Sequence, residues 1–93
     1  MKIYKLSVPT VGDSVYSFNQ LIPLHVGLQK NSNVPVVWAK VTDDDENRPV
    51  EFYTFRVYMT GEDVGSDWEY CGTFQLREPY LEEFVGHIFM RRG

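Results

Sequence analysis

Of the side chains that bind soft metals or act as soft nucleophiles, the sequence holds His25, His87 and Cys71. Zinc sites gather such ligands at short paired spacings, and these three stand far apart, so no metal centre is expected. A thiol nucleophile needs a neighbouring base and a helix N-terminus or cationic pocket that lowers its pKa. The Glu69-Tyr-Cys-Gly-Thr73 context predicts neither. Cys71 reads as a small buried thiol, and the histidines as partly exposed strand residues.

Oxygen donors are more plentiful. Asp43, Asp44, Asp45 and Glu46, followed by Asn47, could hold a hard cation, but they lack the alternate spacing and central Gly of a calcium loop. They read as a solvated tip that doubles as an acidic contact for a basic partner. Glu62 with Asp63, and Glu82 with Glu83, are adjacent on loops and do not form the two-sided pair that glycoside chemistry requires. Gly61 and Gly65 lack the GK[ST] context of a phosphate loop. Neither a cofactor nor an enzymatic activity is expected.

Large rings are the most informative set. Val34-Pro-Val-Val-Trp-Ala-Lys-Val41 alternates Val37, Ala39 and Val41 with Val36, Trp38 and Lys40. Phe52-Tyr-Thr-Phe-Arg-Val-Tyr-Met59 alternates Tyr53, Phe55, Val57 and Met59 with Phe52, Thr54, Arg56 and Tyr58. Such alternation marks half-buried strands. With the polar TDDDENRP stretch between them, the two segments predict a long β-hairpin at the centre of a sheet. Whichever face is the core, the other carries rings. Trp38, Lys40, Phe52, Arg56 and Tyr58, with Asp43 to Glu46, are therefore the candidate partner-binding residues. The competing reading is a sandwich core with both faces covered.

The remaining chain supplies more strands. Lys2 to Val8 aligns Tyr4, Leu6 and Val8 and suits an edge. Val15 to Phe18 follows a Gly12-Asp13 turn and would close a hairpin with it. Leu24, Val26 and Leu28 alternate with His25, Gly27 and Gln29, and the polar turn Asn31-Ser-Asn33 makes a second hairpin with residues 34–41. Trp68, Tyr70, Gly72, Phe74 and Leu76 share a face on which Gly72 predicts a bulge or a close neighbour. Pro79 can open one helical turn in Arg77 to Glu83, and Phe84 to Met90 is apolar on both faces, as a central strand is. The prediction is one all-β domain over residues 1–93. It is a small antiparallel sandwich or partly closed barrel of six or seven short strands, with at most one short helical turn.

Composition narrows the partners. A net charge of −4 disfavours nucleic acid, whose phosphates draw affinity from Lys and Arg. A single cysteine excludes an internal disulfide, no apolar leader follows Met1, and no run is long enough to span a membrane. Cytosol is the compartment these features predict.

The pieces His25-Val-Gly-Leu-Gln29, Val34 to Val41, Met59-Thr-Gly61, Gly72-Thr-Phe-Gln75 and Gly86-His-Ile-Phe89 resemble, in order and spacing, a family of small proteins common in bacteriophage genomes. That family is a domain of unknown function, and the resemblance covers nearly the whole chain. It departs at Met59, where a Gly would precede Thr60, and at Gly86, where a bulky residue would precede His87. The resemblance brings no catalytic residues. It implies a phage-encoded protein in the host cytoplasm that binds a host protein to inhibit or redirect it, without enzymatic activity. A homo-oligomer formed through an edge strand such as residues 2–8 fits this reading and its alternatives alike. The alternatives are a small-ligand or nucleotide sponge and a virion-associated structural protein.

Overall fold

The computed structural model describes residues 1–29, 33–76 and 84–93. Seven strands follow one another: β1 (Lys2–Ser7), β2 (Asp13–Phe18), β3 (Gln20–Leu28), β4 (Pro35–Thr42), β5 (Glu51–Met59), β6 (Glu69–Leu76) and β7 (Phe84–Arg92). They form two antiparallel sheets, a three-stranded sheet A in the order β1-β4-β3 and a four-stranded sheet B in the order β2-β5-β7-β6. The all-β sandwich predicted from the alternation is thus the observed architecture. The expected helical turn at 77–83 and the turn residues 31 and 32 lie outside the described residues.

Two predicted hairpins do not form. Residues 34–41 and 52–59 enter opposite sheets, β4 between β1 and β3 and β5 between β2 and β7. Likewise β1 pairs with β4 and β2 with β5, rather than with each other. Local polarity marked the connections correctly, but each chain reversal there is a step between sheets. The β3–β4 hairpin forms, β1 is an edge, and β7 is central.

The core takes one of the two faces that the alternation separates. Val37, Ala39 and Val41 from sheet A face Tyr53, Phe55, Ile88 and Met90 from sheet B, joined by Leu6, Val8, Leu21, Val26 and Phe74. Burying one such side chain contributes about 1.5–3 kcal/mol, so this cluster is the main stabilising term. Two tyrosines also tie the layers through their hydroxyls. The Tyr53 hydroxyl accepts from Leu21 N at 3.2 Å, and the Tyr16 hydroxyl donates to the Ser7 carbonyl at 2.6 Å.

Two bulges shift the phase of strands. β3 breaks register between Pro23 and His25, which turns Leu24 outward and leaves Val26 and Leu28 facing in. β6 breaks register between Tyr70 and Gly72. Tyr70 consequently stands opposite Phe89 on the outer side, while Gly72 stands opposite buried Ile88. The single face expected to run from Trp68 to Leu76 is therefore split in two.

The Gly72 prediction of a close neighbour holds. A Cβ there would lie 2.6 Å from the Cβ of Val26, across the sandwich. At Gly86, the family departure, the ring of Phe74 occupies the space a side chain would need. Gly72→Ala and Gly86→Ala should each lower stability by about 1–3 kcal/mol, the usual cost of overpacking. A lower urea midpoint at unchanged slope is the expected observation.

Candidate functional site

The core assignment leaves each sheet an outer face, and the two faces are built differently. In sheet B, β5 and β6 both run antiparallel to β7 and so run parallel to each other. Residues 60–68 must therefore return along the sheet, and Trp68 at their end packs on its outer side. The Trp68 ring lies 4.8 Å from the Arg56 guanidinium, 4.7 Å from that of Arg91 and 5.7 Å from the Tyr58 ring. Tyr58 packs edge-on to Phe89 at 5.4 Å, and Phe89 to Tyr70 at 5.5 Å. Arg56 is held in turn by a two-pronged pair with Asp13 at 2.6 and 2.9 Å, and Arg91 reaches Asp67 at 3.6 Å.

Polar groups extend this cluster. His87 lies 2.8 Å from Thr60 Oγ1 through Nε2 and 2.8 Å from Thr73 Oγ1 through Nδ1, and Thr73 meets the Tyr70 hydroxyl at 2.6 Å. Arg56 and Tyr58, two of the predicted partner-binding residues, are thereby engaged in fastening the β5–β6 crossover; Tyr58 is buried. Phe52 shares this outer side and remains exposed.

Sheet A is different: its outer face is buried at Val36 but opens toward Trp38 and Lys40. One row across it reads Ile3, Lys40, Ile22, and the next reads Lys5, Trp38, His25. Ile3 is 68% exposed, Ile22 41%, and the bulged Leu24 52%. Half-buried Trp38 leans on the sheet rather than projecting from it. Its ring centroid is 5.6 Å from that of His25, and its Cζ3 would lie 3.1 Å from a Cβ at Gly27. The result is a patch of aliphatic side chains and one indole, bordered by the ammonium groups of Lys5 and Lys40.

The acidic connection stands at the Lys40 end of this face, and it is anchored rather than free. Asn19 is the anchor: its Nδ2 donates to the Arg48 carbonyl at 2.8 Å and its Oδ1 accepts from Asp45 N at 3.1 Å. Asp45 accepts from Asn47 N at 2.9 Å, and the Tyr4 hydroxyl donates to Asp43 at 2.5 Å. That bond holds the Asp43 carboxyl below its ordinary pKa, helped by the charge of Lys2, and pushes the Tyr4 phenol up. Asp44 and Glu46 are exposed.

The predicted residues therefore divide into three places. Trp38 and Lys40 lie on the face of sheet A, Asp43 to Glu46 beside it, and Phe52, Arg56 and Tyr58 on the far side of the sandwich. Ile3, Lys5, Ile22 and Leu24 were not among the candidates. Ile3 is visible as an apolar residue out of phase with Tyr4 and Leu6, whereas Ile22 precedes the alternation that starts at Leu24.

Nor do the soft groups converge. His25 stacks on Trp38, His87 bonds to two threonines, and the Cys71 thiol contacts the Glu69 carbonyl at 3.7 Å. Burial, reinforced by the Glu69 charge, pushes that thiol up to about 12, opposite to what a nucleophile needs. Among the described residues, no three His, Cys, Asp or Glu side chains are placed to share a metal ion. A recess of about 360 Å³ opens between Asn19, Gln20, Arg48, Pro49, Glu51, Tyr53 and Arg92 at the end where the chain passes from β2 to β3.

Fold and surface together define a small two-sheet antiparallel β-sandwich with one sheet face partly open among the described residues. The chain belongs to the family described as a domain of unknown function, DUF7352, which matches residues 1–93. No curated protein and no solved structure matches it.

Two outcomes follow from the ionisation behaviour. Cys71 should react with alkylating reagents at pH 8 far more slowly in the folded protein than in urea, measured by mass spectrometry. The Asp13 carboxyl is held below its ordinary pKa by its hydrogen bonds to Arg56. A depressed carboxylate stabilises the fold above its unfolded pKa of about 3.9, and that contribution is lost as pH falls through the lower folded value. Asp13→Asn should thus melt below the wild type at neutral pH, by an amount that shrinks below about pH 4.

Proposed function

We propose that this protein is a non-enzymatic binding module that docks on another protein through the outer face of sheet A. The observation that carries this reading is the exposed Ile3, Ile22 and Leu24 around half-buried Trp38, on the part of that face that lies toward Lys40. Exposed apolar residues gathered at one place and rimmed by charge are a usual mark of a protein-binding surface. Each isoleucine fully buried by a partner contributes about 1.5–3 kcal/mol. Lys5 and Lys40 then meet carboxylates on the partner, and exposed Asp44 and Glu46 steer the approach of a basic region beside them.

The bacteriophage resemblance supports a finer form of the reading. In that form the protein is phage-encoded, works in the bacterial cytoplasm, and inhibits or redirects a host protein in takeover or anti-defence. A second reading, capture of a small anionic ligand such as a nucleotide, draws on the recess beside Arg48 and Arg92. The ion pairs of these arginines, with Asp45 at 3.8 Å and Glu51 at 3.9 Å, are long. Stabilisation against heat by a nucleotide, abolished by Arg92→Ala, would favour that second reading.

The test is to express a tagged chain in a bacterial host, recover it at low salt and identify a stoichiometric partner. Ile22→Lys and Trp38→Ala should each weaken that complex at least tenfold without unfolding the protein. Asp44→Lys with Glu46→Lys should slow association and flatten its salt dependence. A partner held equally well by all of these variants, but released by Phe52→Ala, would move the docking surface to sheet B and sink the proposal.

A further inference from the structure

Among the described residues, four strands have an open edge: β1 and β3 in sheet A, and β2 and β6 in sheet B. Edges offer unpaired backbone groups to any other strand, and folded proteins blunt them with Lys, Pro, bulges or cover. Three of the four are blunted here. β1 carries Lys2 and Lys5, and the Tyr16 hydroxyl occupies the Ser7 carbonyl at its end. β3 contains Pro23 and a bulge, and β6 contains a bulge with Val26 of β3 pressed against Gly72.

β2 has none of these devices. Its sequence, Asp13-Ser-Val-Tyr-Ser-Phe18, holds no Lys, Arg or Pro, and it runs in unbroken register with β5 over all six residues. The rings of Tyr16 and Phe18 turn inward, packing on Phe55 and Tyr4. Val15 at its middle points outward and is 56% exposed. The one acid, Asp13, is already neutralised by Arg56.

We propose that β2 pairs antiparallel with β2 of a second copy of this chain about a twofold axis at Val15. This joins two four-stranded sheets into one of eight strands. Directly opposed residues of an antiparallel pair share a face, so the axis must fall on a residue rather than between two. An axis at Val15 sets Val15 against its mate, Asp13 against Ser17 and Ser14 against Tyr16. The two exposed valines cover one another, no like charges meet, and each outer carboxylate faces a hydroxyl. An axis at Tyr16 would instead oppose Val15 to Ser17 and leave both valines against polar groups. The strand is therefore self-complementary in one register, which is what an isologous contact requires. This inference is independent of docking on sheet A, whose outer face the pairing leaves open.

The experiment uses the full chain with Cys71→Ala and Val15→Cys, so that one thiol remains. Opposed antiparallel residues have Cα atoms about 4.5–5.5 Å apart, within disulfide range. Oxidation at tens of micromolar protein should convert most of it to a covalent dimer. With Cys71→Ala and Ser17→Cys the mates lie about 13 Å apart along the strands, and little dimer should form. Sedimentation equilibrium of the wild type should show the mass of two chains, and Val15→Lys should restore the mass of one while melting within a few degrees of wild type. A wild type that stays at one chain up to hundreds of micromolar overturns the proposal. So does a dimer that Val15→Lys leaves intact, or equal crosslinking from positions 15 and 17.

Discussion

The buried amide of Asn19 is the constraint on which the topology turns. It is the single residue between β2 and β3, and there the chain leaves sheet B for sheet A. A change of sheet within one residue takes polar groups out of strand pairing, at a cost of about 1–3 kcal/mol for each one left buried and unpaired. Asn19 meets this fully, with its backbone N donating to the Thr42 carbonyl at 2.8 Å and its side chain to and from the 45–48 backbone. The same bonds fix the entry of the acidic connection and hence the passage of β4 in sheet A to β5 in sheet B. One amide thus sets two crossings of the sandwich.

Much of the fold was legible because it depends on a period of two. Val37, Ala39 and Val41, Tyr53 and Phe55, and Ile88 and Met90 all face the core as their alternation indicates. Pairing was less legible, because alternation says which face a residue takes but not which strand lies beside it. A polar stretch such as 43–50 suits a hairpin or a step between layers equally well. Register breaks were the other obstacle. The bulges at Leu24 and Cys71 each insert one residue, and everything beyond the insertion changes face, so Tyr70 and Phe74 ended on opposite sides.

The same limits shaped the reading of the candidate site. Aromatic and arginine residues pointed to interface chemistry, and the structure separates them into two clusters. Around Trp68 it is turned inward, because a parallel β5–β6 connection needs something to hold it down along its length. On sheet A no such connection lies among the described residues, and Lys40 with the aliphatic neighbours of Trp38 stays accessible. Which cluster meets solvent was decided by strand direction, a property that no local pattern records.

The pairing scheme also bears on how the chain folds as it is made. Only β3 with β4 and β6 with β7 join strands adjacent in sequence; Lys2 pairs with Val41, and Asp13 with Arg56. Pairings this distant are slow to form, since loop-closure entropy is lost before any contact compensates for it. The first two strands therefore emerge from the ribosome with no partner yet synthesised, and Tyr4, Leu6, Tyr16 and Phe18 wait in water until β4 and β5 arrive. Assembly is gated by the middle of the chain, where the β3–β4 hairpin can close early and offer β1 its first surface.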